Sequence, residues 1–265
     1  MAASSRFFDG TPPRVIAHRG LAVRSAENTL DAFRAALQAG ADIIETDVHA
    51  SADGVAVICH DNELTRIAGV ERPVEQLTWA RLRELELVGG GRLATLAQAL
   101  AAFPDARFNV DIKTEAALRP AIGDILEARA ESRVLVTAFQ QRRRRRAVRA
   151  LHGVATSAST PGVVLSLIGA RLRLAPVVRM ALRRVDAVQV PRRRSGLTVV
   201  SPAYLRAVHD AGREVHVWTV NDPEEMAELV RLGVEGIVTD RCDLLVDVLE
   251  RSEASNWGAE KRENP

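Results

Sequence analysis

Cysteine, lysine and aromatic side chains are scarce in this chain of 265 residues, which has two cysteines, two lysines and only 4% aromatics. Two thiols, Cys59 and Cys242, cannot frame a disulfide-stapled fold, so an apolar core must hold the chain, and a reducing cytoplasm is the expected compartment. No apolar run reaches the roughly 18 residues that a membrane-spanning helix needs. Met1 to Pro13 lacks the apolar stretch of a secretory signal, in keeping with the same expectation. No Gly-x-Gly-x-x-Gly follows the first apolar segment, which removes the main sign of a dinucleotide-binding open sheet, the rival fold.

A 47% apolar fraction suffices for a substantial core, and the length suits one barrel of about 250 residues. We expect a single catalytic domain over residues 1–251 and a disordered polar tail over 252–265. Charge is unevenly spread. The net value is +2, yet Arg142 to Arg194 holds 14 arginines against one acid, Asp186. Solvated helix faces explain most such runs; the functional reading is a basic surface that meets anionic lipid peripherally, at the inner membrane face. Gln140 to Arg146 reads as one exposed helix, and no nucleic acid partner is expected from it.

Short apolar segments punctuate the chain. Arg14–His18, Asp42–Val48, Val55–His60, Arg107–Ile112, Val134–Phe139, Val154–Ser157, Ala187–Val190, Val215–Val220 and Gly236–Thr239 read as strands, most separated by helical patterns. Ser201-Pro202 and Asp222-Pro223 each set a capping residue before a first-turn proline, and Gly212 and Gly233 close the helices that follow. The second and third segments are joined by Ser51-Ala52-Asp53-Gly54, a hairpin signal. The third then runs antiparallel to the second, and eight strands remain. Alternating β and α units in eight repeats predict an α/β fold, a TIM-type (β/α)8 barrel with a short β-hairpin return and a helical insertion after the second strand. The insertion spans Leu64 to Gly91, with a helix around Leu77–Leu85; Val163–Arg184 reads as an outer helix.

Chemistry-bearing residues gather at strand ends. The first strand ends in His18-Arg19-Gly20, and the second carries Glu45 and Asp47 two residues apart, hence on one face. The hairpin return ends in His60-Asp61, and Asp111 and Lys113 share a face further on. The C-terminal strand ends of such a barrel form one rim. Closure therefore gathers His18, Arg19, Glu45, Asp47, Asp111 and Lys113 into a ring, with His60 folded over it. Three carboxylates in one cleft repel one another unless a cation lies between them, and oxygen donors suit a hard ion, Mg²⁺ or Ca²⁺. Arg19 and Lys113 add positive charge that suits an anionic substrate such as a phosphodiester. Two histidines allow one group to take a proton and another to supply one. The plainer readings are an ion pair between Lys113 and Asp111, a turn-capping pair at His60-Asp61, and a loop brace or helix cap at Asp240.

Val15-Ile16-Ala17-His18-Arg19-Gly20, Ala26-Glu27-Asn28-Thr29 and Ile44-Glu45-Thr46-Asp47-Val48 resemble the glycerophosphodiester phosphodiesterase family. Asp53-Gly54, Val57-Ile58-Cys59-His60-Asp61, Ala94-Thr95-Leu96, Trp218-Thr219-Val220-Asn221 and Gly236-Ile237-Val238-Thr239-Asp240 continue the likeness, which runs in order from about Val15 to Leu249. The resemblance implies metal-dependent cleavage of glycerophosphodiesters to glycerol 3-phosphate and an alcohol. It assigns His18 and His60 as the acid–base pair, Glu45, Asp47 and Asp111 as ligands of one divalent cation, and Arg19 and Lys113 as phosphate contacts. Glu27 and Asn28 brace the loop after the first strand, with Asn28 near the substrate, and Trp218 packs over the substrate or lies in the core. Three positions depart from the pattern. Asp111 stands where glutamate is usual, Ala26 where proline is, and Arg66-Ile67-Ala68 replaces an arginine followed by two threonines. Two alternatives stay open: a membrane-associated enzyme of lysophospholipase D type, and a non-catalytic phosphate-binding barrel.

Overall fold

The computed structural model describes residues 5–194 and 196–263, the side chains of 253–263 excepted. The strands are β1 (Arg14–His18), β2 (Ile43–Ala50), β3 (Ala56–Ile58), β4 (Arg107–Ile112), β5 (Val134–Thr137), β6 (Ala155–Thr156), β7 (Ala187–Pro191), β8 (Arg193–Arg194), β9 (Leu197–Thr198), β10 (Glu214–Trp218) and β11 (Gly236–Thr239). The helices are α1 (Leu30–Gln38), α2 (Thr65–Ala68), α3 (Trp79–Leu82), α4 (Leu96–Ala102), α5 (Glu115–Glu127), α6 (Gln141–Ala150), α7 (Thr160–Arg171), α8 (Ala175–Leu182), α9 (Pro202–His209), α10 (Pro223–Leu232) and α11 (Cys242–Glu263). Over the stretch 252–265, expected as a tail, the backbone continues α11 to Glu263, and residues 264–265 lie outside the described residues.

Eight strands pair in parallel in the order β6-β5-β4-β2-β1-β11-β10-β7. A parallel bridge between Ser157 and Ala187 closes the ring, with Ala158 N–H donating to the Ala187 carbonyl at 2.9 Å. This is the (β/α)8 barrel that the alternating pattern predicts. β3 leaves the cycle and pairs antiparallel with β2, as the Ser51–Gly54 turn requires.

Two apolar layers lie between the barrel and its helices. One joins β1, β7, β10 and β11 to α8–α11, and the other joins β2, β4 and β5 to α1, α4 and α5. Inside the barrel, Phe7, Ile16, Ile43, Leu135, Ala155 and Val238 fill the end away from the C-terminal rim. Phe7 comes from a 3₁₀ turn (Arg6–Phe8) that plugs this end, where Arg14 and Arg107 donate to backbone carbonyls of Phe8 and Asp9. Gly236 leaves room for the fully buried His216, because a β-carbon there would stand 2.8 Å from its ring. The insertion packs its own small core, including Leu64, Ile67, Val74 and Leu82, against Val57 and Cys59 of the hairpin return.

The structure differs from the sequence reading in four places. Val163–Arg184 is two helices, because the chain leaves the first at Arg173 (φ +55°) and restarts ahead of Pro176. The helix expected over Leu77–Leu85 shrinks to one turn, α3, and bridges such as Glu86 to Arg92 organise the rest of the insertion. β8 and β9 form a small hairpin after β7 that no alternation signals. Finally, α6 is not a uniformly exposed basic helix. Arg143 is buried and donates to the Ile112 carbonyl at 2.9 Å, while buried Arg144 donates to Ser159 Oγ at 3.1 Å. These guanidinia satisfy strand and loop ends and leave the solvent face to their neighbours.

Candidate active site

Strand register assembles the rim. His18, last in β1, lies opposite Glu45 of β2, and Asp47 lies opposite Asp111 of β4. Alternation along β2 and β4 then turns Glu45, Asp47, Asn109 and Asp111 into the barrel. Lys113 follows one step beyond β4, its N–H donating to the Val48 carbonyl at 3.0 Å. His18, Arg19, Glu45, Asp47, His60, Asp111 and Lys113 all line one cavity of about 450 Å³.

The loop after β1 is tightly prescribed. Arg19 adopts a left-handed φ of +57°, costly for a residue with a side chain. Its N–H donates to the Glu45 carbonyl at 3.0 Å and its carbonyl accepts from Asn28 N–H at 2.9 Å, which holds it there. Gly20 (φ +83°) has no substitute, since a β-carbon would stand 2.7 Å from the Ala32 backbone. Glu27 accepts from Arg19 at 3.1 Å and from Arg66 at 2.6 Å. Asn28 is buried behind Asp47 instead of lining the cavity, donating to its carboxylate at 3.2 Å and accepting from Thr46 Oγ at 2.8 Å. Glu27 thus ties Arg19 to Arg66, and Asn28 ties the loop to Asp47 and Thr46 from outside the cavity.

Charge within the ring is only partly balanced. Lys113 Nζ spans two carboxylates, at 2.7 Å from Asp47 and 2.6 Å from Asp111, so it is more than the partner of Asp111 alone. Arg19 Nε adds a second cation at 3.2 Å from Asp47. Burial opposes the charge on Asp47, but Lys113 and Arg19 outweigh it and hold the group below the usual carboxylate range. Glu45 has no lysine or arginine side chain of this kind; the Arg19 N–H donates to its carboxylate at 3.2 Å, and His18 Nε2 stands 3.9 Å away. Burial, followed by repulsion from Asp47, pushes it upward. Asp111 is also pushed up by burial, in spite of Lys113, and its Oδ1 is buried with no hydrogen-bond partner. Among the described residues no three acidic, histidine or cysteine side chains are already drawn together as a ligand cluster. The donors stand around the cavity with Lys113 between two of them.

Both histidines are held at one nitrogen by a carboxylate. His18 Nδ1 lies 2.6 Å from Asp240, and His60 Nδ1 lies 2.6 Å from Asp61. An ionised carboxylate only accepts, so each Nδ1 carries the hydrogen and each Nε2 is the nitrogen free to exchange a proton. Burial lowers His18, but the Asp240 hydrogen bond and the nearby Glu45 charge outweigh it and leave the ring above its ordinary value. Asn221 holds Asp240 in turn, donating at 2.6 Å, and Arg66 holds Asp61. His49 sits beneath His60 and bonds its carbonyl at 3.0 Å.

The opposite wall is apolar, made by Phe139, Ala158, Val163, Val164, Leu167 and Val199. Trp218 lines the cavity and also packs against the apolar plug at the far end of the barrel. Sequence reasoning missed this wall, and it missed Asn109, Gln189 and Arg194, which also line the cavity. The inward register of Asn109, two residues before Asp111, was a usable signal. Asp240 was expected only as a brace or cap; it does brace Asn221, but its contact with His18 joins residues 222 apart and has no local trace.

Comparison with known proteins agrees with this geometry. Residues 18–244 match the model of the "Glycerophosphoryl diester phosphodiesterase family". A Mycobacterium tuberculosis protein named "Probable glycerophosphodiester phosphodiesterase 2" is 42% identical over 236 residues, 88% of this chain and 89% of its own. The glycerophosphodiester phosphodiesterase of Caldanaerobacter subterraneus is 29% identical across 89% of this chain and 98% of its own. In fold, the chain is similar to an Agrobacterium tumefaciens glycerophosphodiester phosphodiesterase (TM-score 0.73, 23% identity, 89% and 99% of the two chains). It is equally similar to an Oleispira antarctica phosphodiesterase in complex with the product sn-glycerol-3-phosphate (TM-score 0.73, 21% identity, 90% and 97%).

Proposed function

The chain belongs to the glycerophosphoryl diester phosphodiesterase family, and we propose that it hydrolyses glycerophosphodiesters to glycerol 3-phosphate and an alcohol through His18 and His60. One observation carries this reading: two imidazoles, each fixed at Nδ1 by a carboxylate 2.6 Å away, share a cavity with three cations, Arg19, Lys113 and Arg194, and three carboxylates. A binding site for phosphate needs the cations but not two oriented proton carriers.

In this reading Arg19 and Lys113 hold the phosphate and offset charge that grows on its non-bridging oxygens. One Nε2 takes a proton from the attacking oxygen, of water or of the glycerol hydroxyl, while the other protonates the departing alkoxide; after hydroxyl attack, water opens the cyclic phosphate with the two roles reversed. Asp240 and Asp61 keep the rings in the tautomer this requires. The apolar wall limits water around the leaving group.

The donors also suit a divalent cation, Mg²⁺ or Ca²⁺. Glu45 is buried with no lysine or arginine side chain paired to it and only His18 Nε2 nearby, at 3.9 Å, and Asp111 Oδ1 is buried with no hydrogen-bond partner. Glu45, Asp47 and Asp111 would hold the ion, a hard cation for oxygen donors. When bound it would supply positive charge to polarise the phosphoryl oxygens. Asp111 is shorter than the glutamate usual at this position, and Lys113 contacts both Asp47 and Asp111, so the unmet demand for positive charge lies at Glu45 and at the unpaired Oδ1 of Asp111.

Release of glycerol 3-phosphate from a panel including glycerophosphocholine, glycerophosphoethanolamine and glycerophosphoglycerol tests the proposal. We expect turnover by the wild type. His18→Ala and His60→Ala should each lower kcat by about 10²–10⁴-fold with an unchanged melting temperature. Full activity in both variants, with wild-type turnover intact, would remove the histidines from the mechanism. A wild type inactive on every diester would favour the phosphate-binding reading. The lysophospholipase D-type alternative has narrower support, since the human relative named "Lysophospholipase D GDPD1" matches only 37% of this chain.

A further inference from the structure

α7 is apolar on both faces, although only one of them is packed. Its inward side is narrow: Ser166 bonds Tyr204 at 2.9 Å, and Gly169 lets Val178 of α8 approach closely. Its outward side carries Val164, Leu165, Ile168 and, just past its end, Leu172, spaced along one stripe and between 36% and 61% exposed. Leu174 and Met180 extend the patch across the turn and along α8. An apolar stripe of this kind on a surface helix marks an interaction site.

Arginines frame the patch. Arg171, Arg173, Arg179, Arg183 and Arg184 are exposed, and none has an acidic partner among the described residues. The reason lies in the sequence, which has no aspartate or glutamate between Glu131 and Asp186. Two corrections sharpen the basic surface expected over Arg142–Arg194: Arg143 and Arg144 are buried struts, and Arg146 is paired with Glu115. Among the arginines left unpaired, Arg171, Arg173, Arg179, Arg183 and Arg184 lie on or next to the two helices that carry the aliphatic stripe.

We propose that the α7–α8 hairpin docks this protein on an anionic lipid bilayer. The aliphatic side chains enter the interface between headgroups and acyl chains while the arginines contact lipid phosphates. Charge selects this occupant over the others. A second copy seated symmetrically would set the same five arginines against one another. A nucleic acid would use the arginines but not the aliphatic stripe, since single strands stack on aromatic rings. The patch is also continuous with the catalytic cavity, because Val163, Val164 and Leu167 of the same helix line it. Docking through α7 therefore turns the cavity mouth toward the membrane surface.

Vesicle co-sedimentation of the full chain at physiological salt tests the proposal, comparing phosphatidylcholine with and without phosphatidylglycerol. Binding should be at least about 10-fold tighter to the anionic vesicles. The double variant Ile168→Asp/Leu172→Asp should lose that binding by a similar factor. Neither residue lines the cavity, so hydrolysis of soluble glycerophosphocholine should be unchanged, with the melting temperature as a second check on folding. Equal binding by variant and wild type, or no binding to anionic vesicles, overturns the proposal. A wild-type dimer in light scattering that the variant converts to monomer, without vesicle binding, identifies self-association instead.

Discussion

The two walls of the cavity are built on different physical terms. The wall from β1, β2 and β4 is polar, and backbone register sets it: His18 opposite Glu45, Asp47 opposite Asp111. Its side chains are buried, crossed by ion pairs of 2.6–3.2 Å and partly starved of counter-charge. The wall from α7 and the loops after β5, β6 and β7 is apolar, half open, and set by helix packing. It makes few polar contacts, and its outer surface is left over for a partner. Under the proposed function the first wall carries the chemistry and tolerates little change, whereas the second meets the leaving group.

The largest effect should come from Lys113→Met. Removing the cation between Asp47 and Asp111 leaves two buried carboxylates facing each other, which costs about 3–5 kcal/mol in such sites. Denaturant unfolding in the presence of chelator should show that loss, together with loss of turnover. An unchanged midpoint would mean that the polar wall is far better solvated than its burial implies.

Asp240→Asn should have the next largest effect. It keeps the shape and removes the charge that holds His18 Nδ1–H, and if His18 carries a proton in the reaction kcat/KM should fall by about 10²-fold or more, since the ring is left free to take the wrong tautomer. The pH dependence carries the sign. His18 lies above its ordinary 6.5 because of Asp240. The stability that the contact contributes is therefore complete below about 6.5 and fades as pH rises through the raised value. In the variant, the limb of the pH–rate profile belonging to His18 should move to lower pH. If that is the acid limb, His18 works as the base; if the alkaline limb, as the acid. A profile that keeps its midpoints would mean that Asp240 does not set the titration of His18.

Phe139→Ala probes the apolar wall. Lys113 Nζ lies 5.7 Å from the centre of this half-open ring, and losing the contact should raise KM about 2–5-fold with kcat nearly constant. A fall in kcat as large as that of Asp240→Asn would erase the distinction between the walls.

The same division explains what could be read from the sequence. The barrel was legible because eight short apolar runs alternate with helical patterns, and because Asp53-Gly54 marks the antiparallel return of β3 onto β2. The polar ring was legible because a period of two fixes which side chains share a face, so Glu45-x-Asp47 and Asp111-x-Lys113 announce themselves. Partners supplied from a distance were not legible. Asp240 reaches His18 and Glu27 reaches Arg66 through closure of the barrel and folding of the insertion, and nothing near either residue marks the contact. The arginine run misled for a related reason. Arg143 and Arg144 look like their exposed neighbours in sequence, yet carbonyls and hydroxyls of neighbouring strand and loop ends claim them. The break between α7 and α8 depends on one left-handed arginine, Arg173, which has no composition signal.

The central claim is that the acidic rim, short of positive charge at Glu45 and Asp111, works around a divalent ion to hydrolyse a phosphodiester. Its most direct test is glycerol 3-phosphate release from glycerophosphocholine by chelator-stripped protein re-supplied with one metal at a time. The account predicts that stripping abolishes release and that Mg²⁺ or Ca²⁺ restores it. Undiminished release in excess chelator would contradict it.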